Sequence, residues 1–188
     1  MSDDERARWN ERYADEDREP PTEPAEVLAE YADGLPGGRA LDVATGGGRN
    51  AIFLADRGYT VDAIDVSEEG LRIARERADE RGVVDGIEFV RADVEEYEFS
   101  QGVYDVIVVA RYYSLNALPA LKRALAPGGV LLYEHRLQPP GDDTHRFRFR
   151  SNDLLRACLD LRIVSYEEPV EITDDDATVR LVARRGRA

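Results

Sequence analysis

Cysteine, lysine and long apolar runs are scarce in this sequence of 188 residues. Cys158 is the single cysteine, which excludes a disulfide within the chain and is typical of a reducing compartment, so we expect a cytoplasmic location. Cys158 falls in an apolar helical pattern, LLRACL, and is predicted to be a buried structural thiol. No apolar run approaches the ~20 residues that cross a membrane, and the charged first residues lack a signal-peptide core.

Acidic side chains dominate the charge of the chain. Asp and Glu number 39 against 25 Lys and Arg, of which Lys122 is the only lysine, and the net charge is −14. This balance argues against a nucleic-acid partner, because neutralising phosphates requires a basic face. An acidic, lysine-poor surface is typical of a halophilic, salt-adapted protein, since high salt screens its self-repulsion. No Cys, His and carboxylate cluster has metal-ligand spacing, so we expect no metal. The lack of a membrane-length apolar run likewise argues against a membrane partner.

Residues 39–54 read RALDVATGGGRNAIFL and combine a short strand, a glycine turn and a helix. Glycine lacks a β-carbon, so the turn can adopt positive φ and let a ligand lie against the backbone. The helix that follows begins with free N–H groups, which suit a carboxylate or a phosphate. The stretch therefore predicts a ligand site at the carboxyl end of the first strand.

Two ligand classes fit this turn, and a third interpretation involves no ligand. Gly46-x-Gly48-x-x-Ala51 matches the dinucleotide fingerprint, but the same pattern also occurs as a tight turn in any α/β domain. Asp65 ends the next predicted strand, where a ribose-binding acid is expected. Asp42 precedes the glycines, where a carboxylate would repel a pyrophosphate and attract an ammonium or a sulfonium. A nicotinamide-dependent oxidoreductase remains the alternative function.

The tract D-V-A-T-G-G-G, residues 42–48, resembles the D-x-G-x-G-x-G motif of class I S-adenosylmethionine-dependent methyltransferases. Ala44 replaces the first glycine, and we expect it to keep a negative φ in a slightly altered turn. The resemblance implies S-adenosyl-L-methionine as cofactor, with Asp65 on its ribose and Asp93 on its adenine. The residues that the resemblance assigns to the cofactor are Trp9, Tyr13, Asp42, Ala44, Thr45, Gly46, Gly48, Arg49, Asn50, Asp65, Val66, Asp93, Val94 and Ala110.

The remaining pattern predicts strands separated by helices, ending in a hairpin. Helices are expected between the first five strands, the last of these over residues 115–126, and another is expected before the sixth strand, ending at residue 160. The order resembles the methyltransferase layout and implies one α/β domain over residues 1–188. Its expected core is a Rossmann-like, seven-stranded, mostly parallel sheet with an antiparallel last strand, in three α/β/α layers. The predicted strands are 40–43, 59–65, 86–92, 104–110, 130–135, 161–168 and 177–183.

Residues 1–34 are predicted to form helices before the first strand. Trp9 and Tyr13 lie one helical turn apart, and W-N-x-x-Y resembles an element of small-molecule methyltransferases of the tellurite-resistance and thiopurine type. That resemblance implies a helical lid over the cofactor. A loosely docked surface helix is the alternative.

The acceptor side is expected to follow the fourth and fifth strands. Arg111 can hold an anionic acceptor, Tyr112 can orient the nucleophile or take its proton, and His135 can act as general base. The extended Arg146 to Arg148 segment, with phenylalanines on one face, completes this pocket. The tetrapeptide of base N-methyltransferases is absent after the fourth strand, and Cys158 is misplaced for pyrimidine chemistry. A small-molecule methyltransferase, monomeric or dimeric, is therefore favoured, with a non-catalytic cofactor-binding regulator as a further alternative.

Overall fold

A computed structural model describes residues 3–15, 17, 19–141, 147–172 and 177–187 of the chain. Helices separate most of the seven strands, but β6 and β7 follow one another directly, and residues 92–103 between β3 and β4 form turns where a helix was expected. In chain order the elements are α1 (Asp3–Ala14), α2 (Glu26–Tyr31), β1 (Arg39–Val43), α3 (Arg49–Ala55), β2 (Thr60–Asp65), α4 (Glu68–Arg81), β3 (Ile87–Arg91), β4 (Tyr104–Ala110), α5 (Leu118–Ala124), β5 (Leu125–Arg136), α6 (Asp153–Ala157), β6 (Arg162–Glu167) and β7 (Thr178–Arg184).

The seven strands form one sheet in the order β3-β2-β1-β4-β5-β7-β6. Neighbours from β3 to β5 pair in parallel, whereas β7 runs antiparallel to both β5 and β6. The predicted mostly parallel sheet with an antiparallel last strand is confirmed. The chain builds outward from β1 in one direction and then restarts at β4 on the other side. Such a switch point opens a crevice at the carboxyl ends of the strands.

Helices cover both faces of the sheet and bury two apolar layers. One layer packs Leu41, Ile107 and Leu131 against α5 and α6. The other packs Ala40, Val108 and their neighbours against α2, α3 and α4. Strand β4 is buried on both faces, as its continuous apolar run predicts. This three-layer packing holds the carboxyl ends of β1, β2, β4 and β5 in fixed positions.

Strand β5 begins earlier than its sequence predicts. It starts at Leu125 rather than residue 130, because Leu125 pairs with Tyr104 ahead of an irregularity in the β4–β5 register. Helix α5 is correspondingly short: it begins at Leu118 and ends at Ala124. Helix α6 also ends early, at Ala157 rather than residue 160.

The segment before α6 differs from the predicted extended strand. Phe149 is fully buried and contacts the rings of Tyr113 and Tyr133, whereas Phe147 is 52% exposed. The two phenylalanines therefore do not share one buried face, because only Phe149 finds an aromatic cluster to pack against. Arg146, predicted to contribute to the acceptor pocket, lies outside the described residues.

Two expectations from composition can be compared with the fold. Cys158 is fully buried, which confirms the predicted buried thiol, and burial raises the pKa of that thiol to about 11. Within the described ranges, no helix has the length and apolarity needed to cross a membrane.

Candidate functional site

A cavity of about 820 Å³ opens at the carboxyl ends of β1, β2, β4 and β5. Its wall combines the glycine loop, the strand ends and the N-terminal segment. The lining residues are Trp9, Arg12, Tyr13, Asp17, Glu19, Pro20, Pro21, Ala44, Thr45, Gly47, Arg49, Asn50, Asp65, Val66, Ala92, Val94, Ala110, Arg111, Tyr112, His135 and Arg136. Ten predicted cofactor residues and the predicted acceptor residues Arg111, Tyr112 and His135 therefore line one space, whereas Arg148 of the predicted acceptor segment does not line it. Four predicted cofactor residues, Asp42, Gly46, Gly48 and Asp93, do not line it.

Asp42 lies beneath the glycine loop and is fully buried. Its carboxylate accepts hydrogen bonds from Thr45 Oγ1 at 2.5 Å, Ala51 N at 3.1 Å and Asn50 Nδ2 at 3.3 Å. Burial raises the pKa of Asp42 to about 6, and the hydrogen bonds from Thr45, Asn50 and Ala51 oppose that rise. Asp42 therefore ties the end of β1 to the loop and to the start of α3. It shapes the cavity through the loop.

The turn itself uses left-handed backbone at three positions. Gly46 and Gly48 have φ of 53° and 83°, and Ala44 has φ of 55°. The expectation of negative φ at Ala44 is wrong: the turn keeps the conformation that glycine adopts readily, and alanine bears its steric cost. A β-carbon on Gly48 would lie 2.7 Å from Cβ of Ala74 in α4, so this glycine also permits α3 and α4 to pack closely.

Asp65 stands at the end of β2, on the cavity wall, with only 6% of its surface exposed. Its Oδ2 accepts from Gly46 N at 2.7 Å and its Oδ1 from Ser67 N at 2.8 Å. Burial raises the pKa of Asp65, while those backbone N–H groups oppose the rise. The two backbone bonds hold the carboxylate rigidly beside the glycine loop. Each oxygen retains a lone pair for a ligand.

Asp93 follows β3 and stabilises the turn after it. Its Oδ1 accepts from Glu95 N at 3.0 Å. Its neighbours Ala92 and Val94 line the cavity instead. Together with Val66 and Ala110, they give this part of the wall an apolar surface.

Helix α1 closes one side of the cavity through Tyr13 and Asn10. The Tyr13 hydroxyl lies against the loop so closely that a β-carbon on Gly46 would be 2.1 Å away. Burial raises the pKa of Tyr13 to about 12, and the nearby Asp65 adds to the rise. Asn10 Oδ1 accepts from Ser67 Oγ at 2.9 Å and from Glu69 N at 3.0 Å, so it caps α4 from outside that helix. These contacts dock α1 on the loop and on α4.

Arg111 and Tyr112 follow directly after β4. Arg111 has φ of 60°, and its N–H donates to the Glu134 carbonyl at 2.9 Å, which continues the β4–β5 ladder past the end of the strand. Tyr112 is half-buried, and burial, with the charges of Glu95 and Asp93, raises its pKa. The phenol therefore stays protonated near neutral pH and can donate a hydrogen bond.

His135 is 7% exposed and packs at 5.7 Å, nearly perpendicular, against the ring of Phe149. Its Nε2 lies 2.8 Å from the Phe147 carbonyl oxygen. A carbonyl only accepts, so Nε2 carries the proton and Nδ1 keeps its lone pair in the neutral ring. Nδ1 is buried and has no partner among the described residues. Burial lowers the pKa of His135 to about 4, and the charges of Arg111 and Arg136 add to this effect.

Several wall residues were missed by sequence reasoning. Arg136 follows His135 on β5, and Arg12 lies on α1 with its guanidinium 5.3 Å from the Trp9 ring. Pro20 packs near Gly47, and Arg77 donates to the Pro20 carbonyl at 3.0 Å. The arginine content of the chain hides such residues among many surface arginines. The one signal that could have found Arg136 is its position directly after the predicted end of the fifth strand, residue 135.

A second cavity, of about 610 Å³, lies beside the first and shares Arg111 with it. Five glutamates line it, and the most buried of them is Glu134 on β5. Glu134 Oε2 accepts from Val27 N at 3.1 Å and lies 3.5 Å from Arg180 Nε. Glu134 is therefore paired on the α2 side of the sheet, away from the first cavity.

Comparison with known proteins identifies relatives by sequence. Residues 40–129 match the model of a family described as "Methyltransferase domain". The ubiquinone/menaquinone biosynthesis C-methyltransferase UbiE of Ectopseudomonas mendocina is 32% identical over 129 residues, which cover 61% of this chain and 50% of that protein. UbiE of Shewanella frigidimarina is 32% identical over 114 residues, 55% of this chain and 44% of that protein. The chain spans about half the length of the curated relatives it matches.

Solved structures share the fold at lower sequence identity. The [4+2]-cyclase SpnF superposes with a TM-score of 0.73 at 19% identity and covers 87% of this chain, with 80% of SpnF matched. TehB from Haemophilus influenzae superposes with a TM-score of 0.71 at 20% identity, over 84% of this chain and 61% of TehB. These likenesses establish the fold alone, because proteins that share a fold can catalyse different reactions.

Proposed function

We propose that this chain, whose residues 40–129 belong to the methyltransferase domain family, transfers the methyl group of S-adenosylmethionine to a small-molecule acceptor. The observation that carries the proposal is one cavity with two halves: the glycine loop with Asp65, and the group Arg111, Tyr112 and His135. A volume of about 820 Å³ suits two small molecules side by side. When bound, the cofactor supplies a methyl group activated by its sulfonium.

The loop half fits the chemistry of that cofactor. The backbone N–H groups at the start of α3 suit its carboxylate, with Arg49 beside them on the cavity wall. Asp65, fixed by two backbone hydrogen bonds, is the proposed partner of the ribose hydroxyls. The apolar side chains of Val66, Val94 and Ala110 suit the adenine ring.

The acceptor half is proposed to position the nucleophile rather than to activate it strongly. Methyl transfer is an in-line displacement, so holding the reacting atoms close and aligned supplies much of the rate. Tyr112, kept protonated by burial that raises its pKa, donates a hydrogen bond to the acceptor. His135, kept neutral by burial that lowers its pKa to about 4, is a weak base, and its Nε2 is already bonded to the Phe147 carbonyl.

The N-terminal segment, residues 1–34, is proposed to act as a lid over the cofactor. Tyr13 rests against Gly46 of the loop, Trp9 is 38% exposed at the cavity edge, and Pro20 lies against Gly47. A ligand in the loop half would be enclosed by these side chains, which would exclude water from the reacting groups. The docked position of α1 supports this role.

Titration with cofactors tests the cofactor assignment. Isothermal titration is expected to show binding of S-adenosylmethionine and S-adenosylhomocysteine and no binding of NAD or NADP. Asp65→Ala should weaken binding by about 1.5–3 kcal/mol, the range for hydrogen bonds to a charged group. Asp79→Ala, which removes an exposed carboxylate on α4, is the matched control and should bind as the parent does. NAD binding without a response to S-adenosylmethionine would refute the proposal in favour of an oxidoreductase.

A non-catalytic cofactor-binding regulator is the second candidate, because the loop half could hold the cofactor without a reactive acceptor and one fold can carry different functions. Release of S-adenosylhomocysteine across a panel of thiols, small acids and amines separates the two. Sustained turnover with any acceptor supports the enzyme. Tight cofactor binding without turnover on the whole panel supports the regulator.

A further inference from the structure

Arginines are concentrated in the main cavity of an otherwise acidic chain. The net charge of the chain is −14, yet four arginines and three carboxylates line this cavity in the described residues. The carboxylates belong to Asp17 and Glu19 of the N-terminal segment and to Asp65 beside the glycine loop. Among the described residues that line the cavity, the end formed by β4 and β5 contributes Arg111 and Arg136 and no carboxylate.

Two of these arginines, Arg111 and Arg136, come from neighbouring strand ends. Ala110 pairs with Glu134 in the parallel β4–β5 ladder, and Arg111 N donates to the Glu134 carbonyl at 2.9 Å. The same ladder therefore fixes both backbones, and both residues line the same cavity. The carboxylate of Glu134 lies on the second cavity, where Val27 N and Arg180 are its partners.

Tyr112 and His135, which line the same cavity beside the two arginines, add no negative charge. His135 donates from Nε2 to the Phe147 carbonyl and is neutral, and Tyr112 remains a protonated phenol. Arg111, Arg136 and Arg148 each help to lower the pKa of His135, after burial, which is the largest cause.

We propose that the methyl acceptor is a small organic acid whose carboxylate binds between Arg111 and Arg136. This inference rests on the proposed function and names its substrate class. Guanidinium groups bind carboxylates through paired, charge-assisted hydrogen bonds, which fix orientation as well as position. The carboxylate serves as a handle, and another atom of the acid attacks the methyl carbon. The carbon–sulfur bond breaks with its electron pair going to sulfur, and any proton on the nucleophile passes to solvent.

Calorimetry with matched probes tests the inference on the S-adenosylhomocysteine-saturated protein at one fixed ionic strength. The probes are benzoate with benzamide and acetate with acetamide, pairs that differ mainly in charge. At least one carboxylate should bind about tenfold or more tightly than its amide, as charge-assisted hydrogen bonds predict. Arg111→Gln and Arg136→Gln should each reduce this preference to about threefold or less. Arg123→Gln removes the same charge from an exposed position on α5 and should keep the preference.

The outcomes separate this inference from the function on which it rests. A protein that fails to bind S-adenosylhomocysteine contradicts the proposed function. A protein that binds S-adenosylhomocysteine but prefers neither carboxylate over its amide contradicts the acid acceptor alone, and this comparison needs no variant. A preference that survives in both the Arg111→Gln and the Arg136→Gln proteins also overturns the inference.

Discussion

The buried carboxylate of Asp42 should make the stability of the protein depend on pH in a narrow window. Asp42 is fully buried beneath the glycine loop, and burial raises its pKa from the ordinary 3.8 to about 6. The three hydrogen bonds from Thr45, Asn50 and Ala51 offset only part of that cost. Asp42→Asn removes the ionisable carboxyl group and keeps a side-chain oxygen that can accept the hydrogen bond from Ala51 N.

The size and sign of the effect follow from linkage. A rise from 3.8 to about 6 corresponds to ~3 kcal/mol at 1.36 kcal/mol per pKa unit. Because the pKa is higher in the folded state, the folded protein binds more protons than the unfolded chain. The stabilising contribution is therefore full below pH 3.8 and is lost as the pH rises through about 6.

Urea unfolding at a series of pH values from about 4 to about 7, at constant salt, measures this contribution. The free energy of unfolding of the parent should fall by ~3 kcal/mol relative to Asp42→Asn across the series. Other titrating groups, including Asp65, are common to both proteins and cancel in the difference. Asp79→Asn, an exposed site on α4, should give a curve parallel to the parent. Parallel curves for the parent and Asp42→Asn would refute the reasoning.

Three further changes test the strained turn at Ala44, the docking of α1 through Asn10 and the effect of surface charge. Ala44→Gly should raise the free energy of unfolding by up to about 1 kcal/mol, because φ of 55° strains alanine; a lower urea midpoint contradicts this. Asn10→Ala should lower the free energy of unfolding by about 1 kcal/mol through loss of its bonds to Ser67 and Glu69, whereas exposed Glu11→Ala should not. The thermal midpoint should rise between low and molar KCl, because salt screens a net charge of −14; an unchanged midpoint contradicts salt adaptation.

The sequence predicted the elements whose pattern is local and strong. The apolar run of β4 reads as a central parallel strand, and the structure buries it on both faces. Ser67 precedes the acidic pair Glu68 and Glu69, a pattern that predicts a helix N-cap, and its Oγ accepts from Gly70 N at 3.0 Å. The final hairpin follows from two strand patterns without a helix between them. In each case the residues that form the element also contain the sequence pattern that predicts it.

The sequence did not predict features that depend on a distant partner. Leu125 becomes a strand residue because Tyr104 pairs with it, although its own neighbourhood reads as the end of a helix. Phe147 and Phe149 have the spacing of one strand face, but only Phe149 meets the aromatic cluster of Tyr113 and Tyr133. The role of Asp42 beneath the loop depends on donors that the loop supplies only once it has folded.

The proposed cofactor and acceptor halves of the cavity also differ in how far apart their residues lie in the sequence. This difference bears on how the proposed acceptor is selected. The loop half is built from consecutive residues around Gly46 and from Asp65, so its chemistry could be read from the sequence. The proposed acceptor half includes Arg111 and Arg136, which are far apart in the chain and line one cavity because β4 and β5 are neighbours in the sheet. A substitution at a strand end can therefore alter the acceptor half without disturbing the hydrogen bonds that hold the loop. Such independence lets one fold carry different reactions.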